Sequence, residues 1–287
     1  MNKGAVLVTG ASSGIGLEIA VFLARHGYPV YASMRNLDRR AELDAAAARH
    51  DVKLDVLQLD ITDPASIEKA VAAIAGRTGA LYGLVNNAGA ILRGFFEDVS
   101  DQEVRGVFES NVFGTMALTR AVLPMMREAR RGRIIVMSST GGRLGSPGNS
   151  AYCASKFALE GFAECLLQEM VLFGVQVSLV EPGLVKTELF GRNRHIAGRA
   201  MSAASPYHNF FQKLEELTDN EVKSAVVTAT DVAQAVFEIL EAKQPHLRYL
   251  VGRRGRFLIN LRRYLPGEMF DRFWIREMTR RVTGNKG

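Results

Sequence analysis

Ala5-Val6-Leu7-Val8-Thr9-Gly10-Ala11-Ser12-Ser13-Gly14-Ile15-Gly16, near the start of a 287-residue chain, is the stretch that decides the fold. Ala5 to Thr9 is a short apolar run with β-branched residues, as expected of a buried strand. A GxxxGxG turn follows, then an amphipathic segment from Leu17 to His26 that stops at Gly27. Strand, glycine turn and helix is the order a dinucleotide site needs. Glycine lets the backbone turn tightly and approach a pyrophosphate, while the helix N-terminus offers unpaired N–H groups and a favourable dipole. Gly10, Ser12, Ser13, Gly14, Ile15 and Gly16 are therefore the candidate phosphate-side residues. A purely structural glycine turn is the plainer alternative.

A second strand, Pro29 to Ser33, runs into Met34-Arg35-Asn36. NAD-selective sites carry an acidic residue near this strand's end to bond the adenosine ribose. No acid stands here. Arg35 instead offers a fork suited to a 2′-phosphate, with Ser13 as a second donor, so the pattern favours NADP(H) over NAD(H). An ordinary surface arginine is the alternative.

Further along, a helix is expected over Leu37 to His50 and a third strand over Val52 to Leu59, closed by Asp60 and Ile61. Thr62 or Asp63 caps the next helix, with Pro64 in its first turn. A fourth strand, Leu81 to Asn87, ends in Asn86-Asn87-Ala88-Gly89, at the kind of strand end where open α/β sheets bind ligands. One long helix is expected from Ser100 to Met126 with Asn111 inside it, a residue disfavoured there unless its amide has partners. The fifth strand, Arg133 to Ser138, leads to Ser139, and the sixth, Val175 to Val180, ends at Glu181-Pro182-Gly183. Six alternations of strand and helix, with no internal repeat and no Pro/Ser-rich linker, predict one α/β domain over residues 1–287, a doubly wound parallel sheet with helices on both faces.

Between those last two strands lies Ala151-Tyr152-Cys153-Ala154-Ser155-Lys156. Tyr152 and Lys156 are four residues apart, so a helix brings them onto one face. A phenol has a pKa of about 10 and is a poor acid or base at neutral pH. A neighbouring ammonium is expected to bring it towards the working range.

Two regions depart from the alternation. Residues 184–228 mix Phe190, His195, Met201, Tyr207, Phe210 and Phe211 with charge, and their place after a strand end suits a mobile lid. After them, Thr230 or Asp231 caps a helix to Ala242, and Arg248 to Val251 forms a last strand. Beyond Gly252, residues 252–287 interleave aromatic and aliphatic side chains with arginines. That stripe packs on its own domain or on a sister subunit, or it touches anionic lipid.

Hydrophobic residues are 47% of the chain and charged residues 23%, an ordinary globular balance. The net charge of +6 belongs to the C-terminus: eleven basic residues from Arg248 onward face only Glu268, Asp271 and Glu277. The remainder is slightly acidic, which gives no support to nucleic-acid binding. Cys153 and Cys165 are poorly placed for a disulfide and carry no metal-like spacing, so a reducing, cytoplasmic setting and no metal are expected. No signal-peptide pattern and no apolar run of about 20 residues is visible, and the chain reads as soluble.

Taken together, the glycine turn, Asp60, Asn86-Asn87-Ala88-Gly89, Asn111, Ser139 thirteen residues before Tyr152, Lys156 and Pro182-Gly183 resemble the short-chain dehydrogenase/reductase family. The likeness runs from about Ala5 to Thr187. Tyr152-Cys-Ala-Ser-Lys-Phe-Ala-Leu-Glu-Gly161 and Val30-Tyr-Ala-Ser-Met-Arg35 look most like the 17β-hydroxysteroid dehydrogenase type 1 and retinol dehydrogenase branch. The resemblance implies a Rossmann fold and hydride transfer between a ketone or aldehyde and an alcohol. It makes Tyr152 the general acid or base, and has Lys156 lower its pKa and bond the nicotinamide ribose. Ser139 would hold the substrate oxygen, and Asn111 would fix a water that relays protons to Lys156. Asn87, Ala88 and Gly89 would line the cofactor, Asp60 and Ile61 would flank the adenine, and Thr187 would reach the carboxamide, with Pro182 and Gly183 beside it. A homodimer or homotetramer built on the two long helices is also implied. The substrate expected is bulky and apolar, such as a steroid or retinoid, or else a fatty or aromatic carbonyl compound. The rival is a non-catalytic cofactor-sensing scaffold, which would be marked by loss of the tyrosine or lysine; both are present.

Overall fold

In the computed structural model, residues 3–186 and 194–283 are described. The opening strand β1 (Val6–Thr9) is buried along its whole length and runs through the glycine turn into α1 (Gly14–Arg25). β2 (Val30–Met34), β3 (Asp55–Gln58), β4 (Gly83–Asn86), β6 (Gly132–Met137), β7 (Val175–Pro182) and β9 (Arg248–Val251) join it in one parallel sheet. The order is β3-β2-β1-β4-β6-β7-β9. In register, Val6 lies opposite Val30 on one side and Gly83 on the other. Strand order therefore reverses beside β1, and that reversal opens a crevice at the carboxyl ends of the strands.

Helices cover both faces because these strands are apolar on both faces. On one side α1, α2 (Ala41–Arg49) and α8 (Ala229–Glu241) bury Ile19, Leu23, Leu43, Val236 and Ile239 against Val8, Ala32 and Val180. On the other, α3 (Pro64–Thr78), α5 (Gly114–Glu128) and α6 (Ser150–Met170) bury Ile74, Leu118, Val122, Leu159 and Ala163 against Leu7, Leu84 and Ile134.

Two local readings change, and a third is narrowed to one of its alternatives. The expected helix over Ser100 to Met126 is α4 (Asp101–Phe108), a π-helical turn (Glu109–Phe113) and α5, so Asn111 sits in a widened turn rather than a regular helix. The cap of α8 is Thr228, not Thr230 or Asp231. Asp231 is the return partner, its Oδ2 accepting from the Thr228 N–H at 2.8 Å while its own N–H donates to the Thr228 hydroxyl at 3.2 Å. Asp63 is the cap of α3, accepting from the Ala65 N–H at 3.0 Å.

The segment expected to be an irregular cover contains a 16-residue helix, α7 (His208–Lys223). Arg194, on β8 (Arg194–Ile196), pairs with Glu215 at 3.0 Å and Asp219 at 2.7 Å on α7. β8 itself pairs with β5 (Ile91–Arg93), whose buried Arg93 reaches the same Glu215 at 2.6 Å. Two guanidinium groups on one half-buried carboxylate explain why the charged residues of this segment fold inward.

The basic tail forms two helices, α9 (Arg253–Tyr264) and α10 (Gly267–Thr283), separated at Pro266. One face packs on the body: Phe270 is buried with Leu144 and Ile259, and the Trp274 indole N–H donates to the Gly145 carbonyl at 2.7 Å. Arg254 and Arg281 both reach Glu221 of α7, at 2.9 and 2.8 Å. The other face leaves Phe257, Tyr264, Met269, Phe273 and Ile275 exposed. Among the described residues no helix is long and apolar enough to cross a membrane.

Candidate active site

The crevice beside β1 is a cleft of about 1300 Å³. Its floor is set by the sheet ends. The Thr9 hydroxyl accepts from the N–H groups of both Asn87 and Ala88 at 2.9 Å, and the Asn87 amide donates to the Thr9 carbonyl at 2.8 Å. This ties the loop after β4 to the glycine turn. A Cβ on Gly16 would lie 2.3 Å from the Gly10 carbonyl oxygen and 2.5 Å from the Asn87 amide nitrogen, so no side chain fits. Gly10 and Gly14 hold φ of +68° and +58°, a backbone region that favours glycine. The turn thus brings bare backbone and the start of α1 to the cleft, the arrangement that accepts a phosphate.

Nearly all the expected residues line this one cleft. Gly10, Ser12, Ser13, Gly14, Ile15 and Gly16 form one wall; Arg35, Asp60 and Ile61 stand at one end. Asn87, Ala88 and Gly89 form the floor, and Ser139, Tyr152, Lys156, Pro182 and Gly183 lie at the other end. The Asp60 carboxylate is engaged by the Thr62 hydroxyl at 2.7 Å, and the Asp60 N–H donates to the Ser66 hydroxyl. Thr187 falls outside the described residues. Asn111 is buried and does not line the cleft; it acts from behind it. Its Oδ1 accepts from the Ala90 N–H at 2.7 Å, and its Nδ2 donates to the Ala90 carbonyl at 2.9 Å and to the Ser155 hydroxyl at 3.0 Å. Ser155 in turn donates to the Tyr152 carbonyl at 2.7 Å. The disfavoured asparagine is explained: it clamps the π-helical turn, the loop before β5 and the first turn of α6 together.

Tyr152 and Lys156 occupy one face of α6, the amine 5.7 Å from the ring centroid. Lys156 Nζ donates to the Met137 carbonyl at 2.8 Å. Burial pushes the Tyr152 phenol up to about 12, against a hydrogen bond with Ser139 that pulls the other way. Burial pushes the Lys156 amine down to about 8, partly opposed by the Glu160 carboxylate. The direction is opposite to the expected lowering of the tyrosine by its lysine: desolvation of the phenolate outweighs the hydrogen bond with Ser139. A phenol at about 12 stays protonated across neutral pH, while an amine near 8 holds its proton loosely. The Ser139 hydroxyl also accepts from the Gly141 N–H at 3.0 Å, which fixes its direction beside the phenol. A proton donor, a second hydroxyl and a cation thus converge on one point.

Some residues that line the cleft or hold it from behind gave no clear signal in the sequence. Thr9 reads there only as the last residue of a strand. Arg39, near Arg35 on the cleft wall, could have been found as a second base four residues on. Leu92, Val107 and His195 reach the Ser139 end from distant segments and share no spacing with the motifs.

The short chain dehydrogenase family model matches residues 4–197. This chain belongs to that family. The chain is 38% identical to retinol dehydrogenase 8 of Bos taurus over 93% of its length and 88% of that protein. It is 37% identical to the 17-beta-hydroxysteroid dehydrogenase type 1 of Homo sapiens over 91% and 81%. A short-chain dehydrogenase from Streptomyces avermitilis superposes with a TM-score of 0.80 over 98% of both chains at 33% identity. Two further structures of this fold carry different cofactors. The actinorhodin polyketide ketoreductase was solved with NADPH (30% identity, TM-score 0.74, 86% of this chain and 95% of that one). A Burkholderia phymatum short-chain dehydrogenase/reductase was solved with NAD (25% identity, TM-score 0.78, 91% and 93%).

The crowding at Gly16 is directly testable in the dehydrogenase. Gly16→Ala is expected to destabilise it by about 1–3 kcal/mol, the usual cost of overpacking, read as a lower Tm in a circular-dichroism melt. An unchanged Tm would show that the turn relaxes around the new methyl.

Proposed function

We propose that this dehydrogenase is an NADP(H)-dependent oxidoreductase that interconverts a ketone or aldehyde and an alcohol on a bulky apolar substrate such as a steroid or retinoid. The observation that carries the reading is the convergence of Tyr152, Ser139 and Lys156 at one end of a cleft whose other end holds the glycine turn and Arg35. The cleft is long and roomy enough for a dinucleotide beside a small molecule. When bound, the nicotinamide supplies or accepts the hydride. In the reductive direction Tyr152 gives its phenolic proton to the substrate oxygen as charge develops there. Ser139 donates a second hydrogen bond to that oxygen, and Lys156 stabilises the phenolate left behind. Asn111 keeps Tyr152 aligned through Ser155.

Relatives named for retinol and for a hydroxysteroid support the substrate class, as does an apolar wall of Leu92, Val107 and Val185. A fatty or aromatic carbonyl compound is the second reading, and likeness to a polyketide ketoreductase supports carbonyl reduction. The chain acts as one unit, since the C-terminal helices bond both to α7 of the cover segment and to the loop after Ser139. Exposed Phe113, Phe157 and Leu172, on or next to α5 and α6, suit a homodimer or homotetramer built on those helices. The free cysteines on α6 fit a reducing, cytoplasmic setting.

The exposed face of α9 and α10 fits an anionic lipid surface. Phe257, Tyr264, Met269, Phe273 and Ile275 stand among Arg253, Arg256, Arg263 and Arg272. A second copy on this face would set like charge against like, whereas acidic headgroups complement it.

Tyr152→Phe is expected to abolish turnover, by about 10²-fold or more, while nucleotide binding measured by fluorescence titration persists. Retained turnover would remove the phenol from the chemistry. Arg35→Asp is expected to move the ratio of kcat/KM for NADPH over NADH by about tenfold or more towards NADH, since a charge-assisted bond is exchanged for a repulsion. A constant ratio would take Arg35 out of the phosphate site. The protein is also expected to sediment with phosphatidylglycerol vesicles in low salt, not with phosphatidylcholine, and less after Phe257→Ser with Tyr264→Ser. Equal sedimentation with both lipids, or with neither, would end the lipid reading.

A further inference from the structure

One helical turn beyond Lys156, α6 carries a carboxylate that the proposed chemistry does not use. Glu160 is buried. Its Oε1 accepts from the Ser138 hydroxyl at 2.5 Å, and its Oε2 accepts from Arg248 Nε at 2.9 Å. The same Arg248 nitrogen lies 3.2 Å from Glu181 on β7, and its Nη2 pairs with Glu164 on α6. Arg143 reaches Glu181 from the turn after β6 at 3.1 Å. The charged groups facing Glu160 are therefore Lys156 and Glu164 on its own helix, Glu181 on β7 and Arg248 on β9, with Arg143 beyond Glu181. Among the described residues, Ser138 is the hydroxyl hydrogen-bonded to it.

Ser138 immediately precedes Ser139. Its own N–H donates to the Val180 carbonyl at 2.8 Å, so its backbone is fixed to β7. After Ser139 the chain closes a 3-10 turn, Thr140–Gly142, directly onto the Ser138–Glu160 pair. A Cβ on Gly142 would lie 2.7 Å from Ser138 Oγ and 3.3 Å from Glu160 Cγ. Ser139 is thus held between a residue pinned by Glu160 and a turn packed on Glu160.

The second consequence is electrostatic. Lys156 is buried where it meets the cleft, and burial favours its neutral amine; the Glu160 carboxylate is the opposing influence. Arg248 offsets part of that negative charge. Glu181 returns it, which is why burial and Glu160 together push the Glu181 carboxyl up.

We propose that Glu160 is a positioning residue for the reaction, holding the Ser139 turn through Ser138 and keeping the Lys156 ammonium charged inside the protein. The proposal rests on the roles given above to Ser139 and Lys156. Its two parts separate by substitution. Glu160→Gln keeps the shape and an acceptor for Ser138 but removes the charge. Ser138→Ala removes the hydrogen bond and keeps the charge.

The experiment is an NMR titration of the Lys156 side chain in protein labelled at lysine 13Cε, with the resonance assigned by its absence in Lys156→Met, alongside steady-state kinetics. In Glu160→Gln the Lys156 midpoint is expected to fall by about 1–3 pH units, the range for losing an opposite charge at close quarters, and the kcat/KM profile to shift the same way. In Ser138→Ala the midpoint is expected to stay in place while kcat falls about tenfold or more from misplacement of Ser139. An unmoved midpoint in folded Glu160→Gln overturns the charge role, and unchanged kcat in Ser138→Ala overturns the positioning role. If Glu160→Gln does not fold by circular dichroism, Glu160→Asp keeps the charge on a shorter arm. Its midpoint is then expected near that of the unaltered protein with kcat reduced, and a midpoint lowered by a full unit would overturn the proposal. Activity surviving in Tyr152→Phe would overturn the reaction reading alone, because the lysine titration does not depend on turnover.

Discussion

The knot between Thr9 and Asn87 is the constraint on which the rest of the site depends. One hydroxyl accepts two backbone N–H groups from the loop after β4, and one amide returns a hydrogen bond to the strand that carries the hydroxyl. These bonds draw two strand ends so close that position 16 has no room for a β-carbon. Everything at the cleft is indexed to that closeness: the glycine turn, the start of α1, and the loop through Ala88 to Ala90. From Ala90 the indexing passes to Asn111, and from Asn111 through Ser155 to the backbone of Tyr152. The glycine-turn end and the Tyr152 end of the cleft are thus two ends of one hydrogen-bonded chain.

Burial then decides the chemistry available at the far end. Taken alone, a tyrosine and a lysine one helical turn apart suggest an acidified phenol. Enclosed by protein, both groups move towards their neutral forms, the phenol upwards and the amine downwards. The phenol is left a secure proton donor and the amine a group poised near neutrality. That makes the surrounding charges matter more than the pair itself. Two buried glutamates and two arginines lie just behind it, at the join of α6, β7, β9 and the turn after β6.

The C-terminal helices belong to the same system despite their distance in sequence. Trp274 bonds to Gly145, Arg262 donates to the Arg143 carbonyl, and Arg254 and Arg281 hold α7 through Glu221. The loop that follows Ser139 is therefore braced from outside by the tail as well as from inside by Glu160. A segment that reads as a basic appendage is, on its inner face, a brace for the loop that follows Ser139.

The sequence by itself determined the parallel sheet, the glycine turn, the order of the strand-end motifs and the placing of Tyr152 and Lys156 on one helix face. These are written in local patterns: apolar runs, glycines at fixed offsets, and a four-residue spacing on a helix. It reported Asn111 only as an anomaly, because its partners Ala90 and Ser155 lie 21 and 44 residues away. It set the direction of the tyrosine shift wrongly, because spacing along a helix records neighbours but not desolvation. It missed the clamp on α7, whose carboxylates gather arginines from β5 and β8, and it placed the α8 cap two or three residues late. Only the tertiary structure decided these points. Burial and charge balance depend on which elements pack together, and no short window of sequence contains all the groups that share one enclosed space.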